Sequence, residues 1–396
     1  MRLISFLGTG DADRKYKPTT YVLGDVTVST NYIAYALTAM FQPQEVWFIA
    51  TDEAWSSHGD ALTTLLTHAN FPNPNRVPVP TGGQDQQLWQ MFGAIVDVIR
   101  TSRSPVLLDI THGFRMQPFF AAACIQYVQS VLPSPPDIRV VYGEFRGPER
   151  ESPIWELTPF LELLSWSRNL MMFLRTGHQA DEVAKETDNL GRALNKERAG
   201  MEGLGYSQLQ KLAKAIKSFS ADFTTIRTGS LLIGKETDPA SAKRLLDAIE
   251  QTSEEVAEHL PALALVLDQV RVMVEPLRTG EANLSSTEGQ RVLLALARLY
   301  QKMGRYSEAI SVLREGWITL GAPQGADKPG PGFDRQRREA QEQTWQNSTT
   351  QSRSVSELRN DIQHAGFNQQ PKDRIWFEKQ LTTLLDQWQE AIDSIP

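Results

Sequence analysis

Val106-Leu107-Leu108-Asp109-Ile110-Thr111-His112-Gly113-Phe114-Arg115 decides the fold of the first half of the chain. Val106–Ile110 is a short, almost wholly apolar run, the pattern of a strand buried on both faces. Thr111-His112-Gly113 ends it, and Pro118 suits the first turn of a helix that runs to about Val131. The same alternation extends outward in both directions. Leu3–Leu7 is apolar and stops at Gly8-Thr9-Gly10. Thr19–Leu23 and Val26–Ser29 flank Gly24-Asp25, a dipeptide suited to a tight hairpin. Asn31 can cap a helix through about Met40. Glu45–Ala50 is a buried strand ending at Thr51-Asp52, and Asp85–Arg100 has helical spacing in Leu88, Phe92, Ile95 and Ile99. Ile138–Phe145 and Ile154–Leu157 complete the strands. Strands alternating with helices predict an α/β domain built on a mostly parallel, doubly wound sheet.

From Thr158-Pro159 onward the pattern is helix alone. Thr158 can cap a helix with proline in its first turn, and Phe160, Leu163, Leu164 and Leu170 keep helical spacing. That helix is the chain connection between the two halves and is expected to act as a stiff lever. Further helices are predicted over Ser207–Ser218, Pro239–His259, Ala262–Val274 and Glu288–Met303. Leu293–Ile318 looks like one helical hairpin turned at Gly304, similar to a single tetratricopeptide unit, and no second copy follows. Gly321–Gly332, with three prolines and four glycines, is expected to be a mobile loop. The polar stretch to about Ser352 is helix or disorder. Between about Arg227 and Ala282 no motif can be assigned.

Composition bounds the function. The 396 residues are 41% hydrophobic and 22% charged, as in globular chains of two or three domains. No apolar run is long enough to span a membrane, and the first residues do not form a signal peptide. One cysteine, Cys124, excludes an internal disulfide framework and a multi-thiolate metal site. These features predict a cytoplasmic protein without a membrane partner or metal. A net charge of −7 argues against a nonspecific nucleic-acid coat but allows a local basic cleft, for which Arg335, Arg337, Arg338, Arg353 and Arg359 are candidates.

Two loops carry the first chemistry. In a doubly wound sheet, ligands sit outside the carboxyl ends of the strands, against backbone amides and helix starts. Gly8-Thr9-Gly10-Asp11 lets the backbone approach a phosphate; the segment after Asp109 adds a hydroxyl, an imidazole and a guanidinium. Asp109-Ile110-Thr111-His112-Gly113-Phe114-Arg115 resembles the DxTHG signature of CRISPR-associated proteins with a CARF domain, and Phe6-Leu7-Gly8-Thr9-Gly10 and Thr19-Thr20-Tyr21 resemble the start of the same family. The resemblance covers about the first 160 residues. It implies a Rossmann-like (CARF) domain over 1–158 that pairs in a homodimer, or a higher homo-oligomer, and binds a cyclic oligoadenylate activator, with the tetra-adenylate favoured. By that resemblance Gly8, Thr9, Gly10, Thr51, Asp52, Thr111, His112, Gly113 and Arg115 line the pocket, while Asp109 holds the loop.

The second motif is Arg359-Asn360-Asp361-Ile362-Gln363-His364. Ser354 and Glu357 read as a capping box that starts a helix, Val355, Leu358, Ile362 and Ala365 as its apolar stripe, and Gly366 as its stop. Arg359 and His364 are five positions apart, roughly 140° around a helix, so a site using both needs the long arginine to curl round or a second chain to contribute. The segment resembles the RxxxxH motif of HEPN ribonucleases, with the customary polar residue, Asn360, after the arginine. That resemblance implies an all-α HEPN-type domain over 159–396, with a mobile loop at about 321–352. It also implies cleavage of single-stranded RNA without a metal or other cofactor, to 2′,3′-cyclic phosphate and 5′-hydroxyl ends, with Arg359, His364 and Asn360 as the catalytic set. The residue types suit that chemistry: ribose supplies its own nucleophile, histidine moves a proton near neutral pH, and arginine neutralises the phosphorane. The alternative is a CARF sensor that regulates a nucleic acid or protein by binding alone. A dinucleotide oxidoreductase is disfavoured because the third glycine of its fingerprint is missing after Gly10.

Overall fold

A computed structural model describes the chain apart from residues 11–14, 114–115, 179, 200–206, 236, 260, 281–282, 331, 349, 368–369, 371 and 396. It divides into two compact units, Met1–Ser165 and Trp166–Pro396.

The first unit is a mixed α/β sheet of eight strands: β1 (Arg2–Leu7), β2 (Thr19–Leu23), β3 (Val26–Thr30), β4 (Glu45–Ala50), β5 (Pro74–Pro78), β6 (Val106–Asp109), β7 (Ile138–Gly143) and β8 (Glu151–Glu156), in the order β3-β2-β8-β7-β6-β1-β4-β5. β1 is central and pairs in parallel with β4 on one side and β6 on the other. β8 runs antiparallel to β7, and β3 antiparallel to β2. Side chains alternate across each strand. Ile4, Phe6 and Leu108 pack with Met91, Ile95 and Ile99 of α3 (Asp85–Arg100) and with Cys124 and Val128 of α4 (Gln117–Val131). Leu3, Leu7 and Leu107 face the other way, toward Ile33 and Leu37 of α1 (Ile33–Phe41) and Leu62 and Leu66 of α2 (Asp52–His68). With a core on each face, the central strands read as continuous apolar runs.

Two local expectations differ from the structure. Asn31 does not cap α1: Tyr32 stands at the cap without a side-chain bond, its amide held by the Thr30 hydroxyl. Thr158 begins α5 (Thr158–Thr176), but its hydroxyl accepts the Val140 amide at 3.0 Å and donates to Glu156, so it ties the helix start to the sheet. Sequence spacing also left α2 and β5 unassigned. The buried stripe of α2 includes His58 and Gly59 among its apolar members, and β5 opens and closes on proline, as edge strands can.

The second unit is mostly helical: α6 (Ala180–Arg198), α7 (Leu209–Thr224), α8 (Ser241–His259), α9 (Pro261–Val274), α10 (Thr287–Lys302), α11 (Tyr306–Thr319), α12 (Arg335–Ser348), α13 (Thr350–Gln363) and α14 (Arg374–Asp393). A π-helical turn, Gly229–Ile233, and a two-residue hairpin, β9 (Gly234–Lys235) with β10 (Asp238–Pro239), separate α7 from α8. Phe223 links the bundle, stacking on Phe219 at 5.5 Å and on Tyr300 at 4.4 Å, and the Tyr300 hydroxyl donates to the Phe223 carbonyl. Helices α10 and α11 form the expected hairpin, with Gly304 left-handed at its turn. Within the expected loop at about 321–352, the polar stretch read as helix or disorder contains α12. Arg338 anchors it, donating to Thr319, the Ala326 carbonyl and Glu315. Among the described residues no helix is long and apolar enough to cross a membrane.

Candidate functional site

β1 is flanked by β4 on one side and by β6 on the other, so the carboxyl ends of β1 and β6 bound the crevice where such sheets bind ligands. A cleft of about 400 Å³ opens there, lined by the ends of three strands: Gly8, Thr9 and Gly10 after β1, Thr51 after β4, and Thr111, His112 and Gly113 after β6. Close backbone approach explains the glycines. A Cβ on Gly8 would lie 3.1 Å from the Gly113 amide nitrogen, and Gly113 itself has φ +120°. Asp109, wholly buried beneath, organises the β6 loop: it accepts the Thr111 amide at 2.9 Å, the Thr111 hydroxyl, and the Ser5 hydroxyl at 2.6 Å. Burial pushes its carboxyl above the ordinary range, against the pull of those bonds.

An aromatic group forms the rest of the cleft. Tyr16 stacks on His112 at 4.2 Å and meets His58 at 4.6 Å. Its hydroxyl donates to the Gly8 carbonyl at 2.8 Å and accepts the Gly8 amide at 3.0 Å. His58 Nε2 lies 3.0 Å from the Thr9 carbonyl, which can only accept, so that nitrogen carries the proton; Nδ1 then accepts from the Tyr32 hydroxyl at 3.2 Å. His58 thereby fixes the Gly8-Thr9-Gly10 turn from behind. His112 differs. Burial, with the neighbouring His58 adding to it, depresses its pKa to about 4, so it is a neutral hydrogen-bonding group at physiological pH. Its Nε2 is buried with no hydrogen-bond partner among the described residues. A buried polar atom without a partner is uncommon and needs an explanation. Lys15, Lys17 and Phe145 also line the cleft, giving it positive charge and an aromatic face.

Of the residues expected in this pocket, Gly8, Thr9, Gly10, Thr51, Thr111, His112 and Gly113 come together. The Thr51 and Thr111 hydroxyls are spent internally: Thr51 caps α2 through the Ala54 amide, and Thr111 accepts the Gly143 amide while donating to Asp109. Asp52 is not in the lining; its exposed carboxylate pairs with Arg76. Arg115 lies outside the described residues. Tyr16, His58 and Asn31 were missed. The sequence carried signals for two of them: an aromatic between two lysines, Lys15-Tyr16-Lys17, and a histidine on the buried face of α2 in register with Ala54 and Leu62.

The second motif lies on α13. The helix begins at Thr350, so Ser354 and Glu357 sit inside it and form no capping box. Val355 and Leu358 are buried, while Ile362 is partly exposed and Ala365 exposed. The end is as expected: Gly366 is left-handed and its amide bonds back to the Asp361 carbonyl at 2.8 Å. The His364 amide still bonds to the Asn360 carbonyl, so the helical turn carries through the histidine. Asn360 and His364 are exposed on one face; Arg359 is half-buried and rotated away. Neither the Arg359 nor the His364 side chain has a hydrogen-bond or ion-pair partner among the described residues. Of the other candidate arginines, Arg335 pairs with Glu339, Arg337 with Asp334, and Arg338 with Glu315. Arg353 is exposed and has no ion-pair partner among the described residues.

Compared with known proteins, the chain matches no family model and no curated protein.

Proposed function

We propose that the chain is an endoribonuclease of the CARF–HEPN kind, switched on by a cyclic oligoadenylate in the N-terminal crevice and cutting single-stranded RNA at Arg359 and His364. The observation that carries the reading is the convergence of Gly8-Thr9-Gly10, Thr51 and Thr111-His112-Gly113 on one crevice at the switch point of the sheet. The crevice suits an adenylate. Glycine backbone and two lysines can meet phosphate, exposed Phe145 can stack on a base, and neutral His112 offers an unused nitrogen.

At the second site the ribose 2′-hydroxyl would attack the adjacent phosphorus while the bond to the 5′-oxygen breaks. His364 would move the proton, Arg359 would balance the charge of the phosphorane, and Asn360 would hold the strand. Because Arg359 and His364 lie on different faces of α13, two copies of the motif in a homodimer would complete one cleft. The same divergence favours the second reading, a sensor whose helical half binds without cutting.

Calorimetry with cyclic tetra-adenylate and cyclic hexa-adenylate tests the sensor. His112→Ala is expected to weaken binding by about 1.5–3 kcal/mol, the range for losing one hydrogen bond to a charged group. Unchanged affinity would place the ligand elsewhere.

A further inference from the structure

We infer that the cleft beside the π-helical turn Gly229–Ile233 is a ribonucleotide-binding site, holding a phosphate with Arg227, Lys235 and Arg244 and a ribose hydroxyl with Asp222. This cleft of about 400 Å³ lies wholly within the helical unit and shares no residue with either site above. It stands independently of the ribonuclease reading. Its volume falls within the roughly 300–1,000 Å³ of small-molecule pockets.

The charges are arranged for a ligand that carries both an anion and donors. Arg227 and Lys235 line the cleft, and their side chains have no ion-pair or hydrogen-bond partner among the described residues. Arg244 is held in place, pairing through Nη1 with Asp238 and donating through Nη2 to the Ser218 hydroxyl at 2.6 Å. Its Nε is buried without an acceptor among the described residues. A phosphate oxygen would satisfy that donor and bring the two free cations together. A bare phosphate fits less well, because two carboxylates also line the cleft. Asp238 is committed to Arg244, but the Asp222 side chain has no partner among the described residues, and a carboxylate can only accept. A ribose hydroxyl supplies the donor it lacks, as carboxylates do in nucleotide sites of other folds.

The backbone is also unusual here. Ile226 is left-handed at φ 55°, a conformation that β-branched residues avoid, and a π-turn follows within three residues. Such conformations concentrate at binding sites, where the surrounding structure holds them in place.

The test is calorimetry on full-length chains carrying His364→Ala, so that RNA probes are spared if that residue cuts. The probes are adenosine 5′-monophosphate, its 2′-deoxy counterpart, inorganic phosphate, and a tetraribonucleotide with a 5′-hydroxyl. The Arg227 and Lys235 side chains make no hydrogen bond or ion pair among the described residues, so Arg227→Ala/Lys235→Ala should melt like its parent. It should bind the monophosphate about ten-fold or more weakly, ~1.4 kcal/mol. Asp222→Asn should erase the preference for ribose over deoxyribose. Weaker binding of the tetranucleotide as well would identify phosphates within a strand as ligands; loss confined to the mononucleotide would identify a free nucleotide. Either supports the site. Equal affinity of parent and double variant for every probe, or no preference for the ribonucleotide over inorganic phosphate, would overturn it.

Discussion

Asp109 and His112 sit three residues apart and do opposite work in the crevice. Asp109 accepts from two hydroxyls and one amide, so Asp109→Ala strands three donors in a buried setting. Each buried unsatisfied donor costs about 1–3 kcal/mol, partly relieved by water; a net loss of about 2–4 kcal/mol is expected in denaturant unfolding. A midpoint equal to the parent's would mean that something else holds the loop. His112 makes stability depend on pH. Its pKa is about 4 in the folded chain against an ordinary 6.5, so between those values the unfolded chain binds the proton and the folded chain does not. Unfolding free energy therefore rises with pH across this window. The contribution is fully present above 6.5 and is lost as pH falls toward 4, by up to about 3 kcal/mol. His112→Phe keeps a ring against Tyr16 without the titration, so its melting temperature should fall less steeply from pH 6.5 to 4; identical slopes would contradict the assignment. The groups facing His112 are Tyr16, His58 and the lining Lys15 and Lys17, with Asp109 below, and all are common to both chains. The backbone half of this site was legible in the sequence, because glycine turns after apolar runs mark strand ends. The aromatic half was not. His58 shares a helical stripe with core residues, and Tyr16 lies in a loop, where no periodicity indicates what it faces.

At the scale of elements, α13 separates an exposed polar row from its packing face. Asn360 and His364 lie seven and eleven residues after Arg353, within about 20° of its direction on an ideal helix. All three are exposed, opposite the buried Val355 and Leu358. Arg353→Ala is therefore expected to weaken RNA binding uniformly across sequences and to lower the salt dependence by about one counterion. Arg338→Ala, which removes the anchor of the 321–330 loop, should cost stability instead. The opposite pattern in filter binding and thermal melts would reverse the two roles. Helix α6, unassigned from sequence, and α12, read as helix or disorder, lack a stripe of large apolar side chains, whereas α14 was also unassigned although Phe377, Leu381, Leu384 and Trp388 form one. The buried face of α6 is Ala180, Val183, Ala184, Thr187 and Gly191, residues too small to make an apolar stripe. Gly191 lets α7 approach until a Cβ there would lie 3.1 Å from the Leu209 side chain. Helix α12 is polar nearly all round and is held by buried Trp345 and by ion pairs of Arg338 with Glu315 and Glu342 with Arg314. Strong periodicity in α3 and α10, by contrast, came from large side chains on a single buried face.

At the scale of the whole molecule, strand and helix signals alternate to Leu157 and then stop, while the first compact unit extends to Ser165. The difference is the start of α5, where Leu157 and Leu161 still pack on the core of the sheet. An activator in the crevice can shift a nuclease equilibrium only by as much as its affinity differs between resting and active states. Binding and cutting must therefore be separable by mutation and linked in the intact chain. The most direct measurement is cleavage of single-stranded RNA with and without cyclic tetra-adenylate or cyclic hexa-adenylate, in the parent and in His364→Ala. The parent should cut only when a ring is present, leaving 2′,3′-cyclic phosphate and 5′-hydroxyl ends, and should do so with a chelator added. His364→Ala should bind the ring as the parent does and cut nothing. Cleavage undiminished by His364→Ala, or no cleavage by the parent with either ring, would contradict the proposed function.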